Sequence, residues 1–84
     1  MFLRVTDVKL LRGYQLRVTF SDGVVKEVDL GLELYGEVFE PLKDKELFQQ
    51  VVVNPEANTV EWANGTDFAP EFLYEIGEEV ERVA

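Results

Sequence analysis

Cysteine and histidine are both missing from this 84-residue sequence. Without cysteine there is no disulfide, no thiolate metal site and no thiol nucleophile, so the fold must hold by packing and a reducing cytoplasm is its expected compartment. Without histidine, the usual general base, the usual zinc ligand and any Ser-His-Asp arrangement are gone. Serine is nearly missing as well: Ser21 stands alone, in a turn signal with no activating base close in sequence. Apolar runs such as Val51–Val53 fall far short of the roughly 20 residues that a membrane-spanning helix needs, and the first residues lack a signal-peptide core. The six glycines are scattered rather than grouped as a phosphate cradle requires.

What remains is ample for one core. The hydrophobic fraction is 46%, with six Phe, three Tyr and one Trp, and a chain this short supports a single domain because it buries only about 60–65% of its unfolded surface. The net charge of -9 is unevenly spread. Residues 1–26 hold five basic and two acidic side chains, residues 27–55 two and seven, and residues 56–84 one and eight. A surface so negative repels phosphate backbones and attracts a basic protein. The same carboxylates would also serve simply to keep a small domain soluble.

Leu3 and Val5 share one parity and Val8 and Leu10 the other, which predicts a strand with a bulge near Thr6-Asp7. Tyr14, Leu16, Val18 and Phe20 alternate with polar residues as a half-buried strand does, and Asp22-Gly23 turns it into a third strand carrying Val24, Val28 and Leu30. Lys26 shares the inward parity, which places that strand near a sheet edge. Residues 31–43 read as a loop with at most one helical turn, anchored by Leu34, Tyr35, Val38, Phe39 and Leu42.

Asp44 is the expected N-cap of a short helix over Lys45 to Gln50. Val51–Val53 and Thr59–Trp62 flank the turn cluster Asn54-Pro55-Glu56-Ala57-Asn58 as a second hairpin. Pro70 opens a second helix, with Glu71 at the positive end of its dipole and Asp67 reaching over as a cap in place of Ala69. Ile76, Val80 and Val83 continue a helical spacing that Gly77 interrupts. The helix either ends there or presents a narrow apolar seam; the expectation carried forward is an acidic C-terminal tail over 78–84 beyond a domain of residues 1–77. The fold class is therefore α+β: an antiparallel β-meander, a second hairpin and two short helices.

Glu37, Glu40, Glu61, Asp67 and Glu71 are the carboxylates to watch for acid-base work or a divalent ion, with Glu61, Asp67 and Glu71 the candidate metal set, although their spacing matches no known loop. Trp62, Phe68, Phe72 and Tyr74 would stack bases if cations stood beside them, but their neighbours are acidic and core packing is the better reading. Asn64 or Asp67 would then partner the Trp62 indole and the Tyr74 hydroxyl. Any direct DNA contact would fall to Arg4, Lys9, Arg12 and Arg17, provided that the first two strands bring them to one face.

The segments Phe20-Ser21-Asp22-Gly23 and Val28-Asp29-Leu30, the residues Phe39, Leu42, Asp44 and Phe48, and the run Trp62-Ala63-Asn64-Gly65-Thr66-Asp67 with Pro70-Glu71 and Leu73-Tyr74 together resemble the small bacterial family catalogued as domain of unknown function 2442. The likeness spans about residues 4–75. It singles out Trp62, Asn64, Gly65, Asp67, Pro70, Glu71 and Tyr74 as the motif residues. It implies an α+β fold and no established activity. Members are often encoded beside a protein of the domain of unknown function 4160 family, in a layout like that of toxin and antitoxin pairs, and some carry an appended helix-turn-helix that this sequence does not reach. Ala69 departs from the hydroxyl cap common before the Pro-Glu pair.

The expected function is a non-catalytic, acidic protein-interaction module, antitoxin-like, which meets a basic, toxin-like partner encoded nearby and requires no cofactor. A carboxylate-dependent metal or enzymatic domain and a DNA-linked regulator are the alternatives, and an exposed strand edge would allow a homodimer.

Overall fold

The computed structural model describes residues 2–82. Strands β1 (Val5–Arg12), β2 (Gln15–Phe20) and β3 (Val24–Asp29) form the antiparallel meander. Val5 faces Phe20, Val8 faces Val18 and Leu10 faces Leu16, so one apolar face is continuous across the strands. The register slips between Val5 and Asp7, which absorbs Thr6 as the extra residue and accounts for the parity change in β1. At the next corner Gly23 donates to the Phe20 carbonyl at 3.0 Å, and Asp22 Oδ1 accepts from the Val24 amide at 3.0 Å, so a side chain holds the hairpin turn closed.

A 3₁₀ turn at Glu40–Lys43 interrupts the loop after β3, and helix α1 (Lys45–Phe48) follows at once. Asp44 caps α1, its Oδ1 accepting from the Glu46 amide at 3.0 Å. Strands β4 (Val52–Asn54) and β5 (Thr59–Glu61) make a separate two-stranded sheet, whose connection uses Asn58 at φ 62, a left-handed conformation that Asn tolerates. The Val5 amide donates to the Asn58 carbonyl at 2.9 Å, which docks this hairpin on β1. Helix α2 (Pro70–Ile76) then crosses the meander and buries Leu73.

One core results. Leu16, Val18, Phe20 and Val28 from the sheet meet Leu34 and Leu42 from the loop, Phe48 from α1, Val60 and Trp62 from the hairpin, and Phe68 and Leu73 from the α2 segment. The loop after β3 and the C-terminal ends of the 3₁₀ turn and α1 leave carbonyls without a backbone partner, and distant side chains supply the donors. Tyr14 donates to the Lys43 carbonyl, Trp62 Nε1 to that of Phe48 at 2.8 Å, and Thr66 to that of Val38 at 3.3 Å. Among the described residues no buried side-chain nitrogen or oxygen lacks a partner.

The C-terminal segment departs from expectation. Residues Glu78–Arg82 are neither a tail nor a helical seam but a strand, β6, which pairs antiparallel with β3 and gives the sheet the order β1-β2-β3-β6. Val24 faces Arg82, Val25 faces Glu81 and Lys26 faces Glu79, so β6 gives partners to a strand edge that would otherwise be bare beside buried Val24, Val25 and Val28. Val83 and Ala84, the end of the expected tail, lie outside the described residues.

Two smaller expectations change with it. Lys26 is an interior-strand residue rather than an edge one: its ammonium donates to the Tyr74 carbonyl in the last turn of α2 and lies 3.8 Å from the Tyr74 ring centre. A cation there complements the negative end of the helix dipole. Of the five loop anchors, Tyr35 and Val38 face solvent, at 69% and 62% exposure, because Leu34 and Leu42 already fill the space beneath the loop.

Only one residue, Gly77, separates α2 from β6. A methyl group there would lie 2.9 Å from Val28 Cγ2 and 3.0 Å from both the Leu73 carbonyl oxygen and Lys26 Cβ. Gly77→Ala is therefore expected to destabilise the chain by about 1–2 kcal/mol through overpacking, read as a lower urea midpoint at unchanged slope.

Candidate functional site

The chain from Trp62 to Tyr74 is the corner at which the second hairpin hands over to α2. The Trp62 amide donates to the Thr66 carbonyl at 2.9 Å, while the Gly65 amide returns to the Trp62 carbonyl at 2.8 Å. Asn64 Oδ1 closes the loop by accepting from the Thr66 amide at 3.1 Å. Gly65 has φ 84, so a side chain at that position would strain the backbone although the space around it is open. The Trp62 ring is enclosed between Phe48, at 5.4 Å between ring centres, and Phe68, at 5.9 Å.

Pro70 takes the first position of α2, where a missing amide hydrogen costs nothing, and Glu71 stands exposed in the first turn. Asp67 does not cap the helix, because its backbone is held in an isolated bridge with Glu61 and no side-chain cap forms. Tyr74 also finds a different partner from the one expected: its hydroxyl donates to Asp22 Oδ2 at 2.8 Å, across to the first hairpin turn, and its ring meets Phe20 edge-on at 4.9 Å. Trp62 likewise uses the Phe48 carbonyl rather than Asn64 or Asp67.

The Asp22–Tyr74 contact leaves an electrostatic signature. For Asp22, burial pushes the carboxyl upward, but hydrogen bonds from the Val24 amide and the Tyr74 hydroxyl, with the Arg82 charge, outweigh it and hold the group below the usual carboxylate range. The hydrogen bond to Asp22, followed by desolvation and the carboxylate's charge, raises Tyr74 above the ordinary phenol value. The Tyr74–Asp22 hydrogen bond ties α2 to the β2–β3 turn. With the Phe20–Tyr74 ring contact it forms a structural clasp.

The other candidate groups separate in space. Among the described residues no three acidic side chains lie close enough to hold a metal ion, and the Glu61 carboxylate accepts from Asn54 Nδ2 at 3.1 Å instead. Lys9 and Arg17 face each other on β1 and β2, and Arg12 stands opposite Gln15. Arg17 is already paired with Glu27 at 2.9 Å, so the basic strip runs directly into an acidic one.

What does form is a cleft between the loop after β3 and the start of α2. Its volume is about 310 Å³ and it is lined by Glu33, Tyr35, Phe39, Asp67, Phe68, Ala69 and Phe72. Phe39, Phe68 and Phe72 lie nearly parallel, at 4.6 Å and 24° for the first pair and 5.7 Å and 13° for the second. Phe68 is buried, Phe39 and Phe72 are half-buried, and Tyr35 is exposed at the mouth. Of the seven motif residues only Asp67 lines this cleft. The others build the corner beside it. Sequence reasoning missed Glu33 and expected Tyr35 as a core anchor, whereas Phe39 does pack against the core as expected and lines the cleft as well; the available signal was the Phe68 and Phe72 pair, four residues apart, next to Asp67.

The family model described as a protein of unknown function, DUF2442, matches residues 5–79. The chain belongs to this family. The match runs from the start of β1 into β6 and so includes the meander, the corner, the cleft and the first residues of the fourth strand. No curated protein and no solved structure matches the chain. The DUF2442 chain has an α+β fold with a four-stranded antiparallel sheet, a two-stranded hairpin and two helices, and among its described residues no helix is long and apolar enough to cross a membrane.

Proposed function

We propose that this DUF2442 protein is a non-catalytic interaction module whose partner is a basic protein. The observation that carries this reading is the cleft: an aromatic interior with the Glu33 and Asp67 carboxylates, on a chain of net charge -9. The loop that carries Tyr35 exposes two further apolar side chains, Leu32 at 91% and Val38 at 62%. A surface that combines aromatic anchors with charge of one sign suits protein recognition better than a small-molecule reaction. The antitoxin-like role, with a partner encoded nearby, belongs to the same proposal and rests on the family resemblance.

Co-expression with the protein encoded beside it, which the family resemblance implies to be of the domain of unknown function 4160 family, tests it. The expected result is a complex that survives purification at about 0.05 M salt and loosens at about 1 M, where charges further apart than about 3 Å are screened. No complex at low salt would contradict the proposal.

A further inference from the structure

We infer that the cleft is a receptor for an arginine side chain of the basic partner, an assignment that rests on the interaction reading above. The cleft offers the two things a guanidinium binds best, aromatic faces to stack on and carboxylate oxygens to accept its hydrogens. Phe39, Phe68 and Phe72 give the aromatic surface, Tyr35 extends it to the mouth, and Glu33 and Asp67 give the carboxylates. Among the described residues neither carboxylate has an ion-pair partner, since the ion pairs there join Arg17 to Glu27 and Arg82 to Glu79. Among the described residues no basic side chain lines the cleft. A neutral apolar ligand would leave two carboxylates desolvated without a counter-charge, and an anion would meet them directly.

The chain already uses the same chemistry on itself at Lys26, which is satisfied together by the Tyr74 ring and a carbonyl oxygen. In the cleft the aromatic surface and the acceptors are present and the cation must come from elsewhere. A planar, weakly hydrated guanidinium stacks on an exposed aromatic face and pairs with carboxylates better than an ammonium does. A second copy of this chain is the disfavoured source, because two molecules of net charge -9 repel.

The test is an amide-resolved NMR titration of the full chain with acetyl-Gly-Arg-Gly-amide, alongside the neutral isostere in which citrulline replaces arginine. Saturable shifts are expected at Glu33, Phe39, Asp67, Phe68 and Phe72, with the citrulline peptide about tenfold weaker, in line with a lost charge worth roughly one decade of affinity. Glu33→Gln and Asp67→Asn should each weaken the arginine peptide several-fold at unchanged melting temperature. Equal binding of the two peptides, shifts centred on Glu78–Glu81 instead, or a cleft already occupied by a second copy at rising concentration would each overturn the assignment. A protein that forms the complex with its neighbour but fails this titration loses the arginine assignment alone; one that fails both loses the interaction reading too.

Discussion

Trp62→Ala is expected to remove about 3–5 kcal/mol of folding stability, a large share of the roughly 5–10 kcal/mol that a domain of this size commonly has. The side chain is 1% exposed, touches rings on both α1 and the α2 segment, and makes the indole hydrogen bond to the Phe48 carbonyl. Truncation opens a cavity at the junction of three segments and also strands that carbonyl. Trp62→Phe separates the two effects: it keeps most of the ring volume, so its smaller cost, about 1–3 kcal/mol, reports the unsatisfied acceptor. Urea unfolding followed by far-ultraviolet circular dichroism reads both variants. A loss below about 1 kcal/mol for the alanine variant would mean that the corner does not close the core.

A chain that stops at Gly77 should lose roughly 2–4 kcal/mol, because four cross-strand pairs between β3 and β6 disappear and the edge of β3 beside Val24, Val25 and Val28 is laid open. The like charges of Glu27 and Glu78 oppose each other in that pairing, but Arg17 on the other side of Glu27 offsets the repulsion. Removal of a frayed tail would cost less than about 0.5 kcal/mol. The same urea experiment decides between strand and tail. The truncated chain should also aggregate more readily, since the exposed β3 edge is more apolar than the acidic β6 edge it replaces.

Local signals in the sequence carried most of the architecture. The alternation of Leu16, Val18 and Phe20, the Asp22-Gly23 turn, the Asp44 cap and Pro70 at a helix start each act within a few residues, so each is legible without the rest of the chain. β6 was not, because its apolar residue Val80 stands four after Ile76 of α2 and continues that helix's spacing; what makes the segment a strand is the open edge of β3, about fifty residues earlier in the chain. Lys26 misled in the same way. An inward-facing lysine reads as an edge residue until a helix end and a tyrosine ring are found above it.

The candidate site was less legible than the fold. The motif drew attention to the residues with the strongest conformational demands, and those demands are what the structure uses them for: Gly65 for its backbone, Asn64 for its turn, Pro70 for its helix, Trp62 and Tyr74 for long-range hydrogen bonds. The cleft beside them is assembled from Glu33, Tyr35 and Phe39 on one segment and from residues 67–72 on another. No local spacing links the two segments. They meet because Thr66 holds the Val38 carbonyl and Phe39 stacks on Phe68.

Asp67 belongs both to the motif and to the cleft, and its side chain accepts no hydrogen bond among the described residues, so it separates a structural role from a binding one. The most direct measurement is the arginine-peptide titration of Asp67→Asn, with its urea midpoint as the control. Binding several-fold weaker at a stability within about 0.5 kcal/mol of the parent is the predicted result. Unchanged binding together with a large loss of stability would contradict the account, placing Asp67 with the residues that build the corner and leaving the cleft without a role.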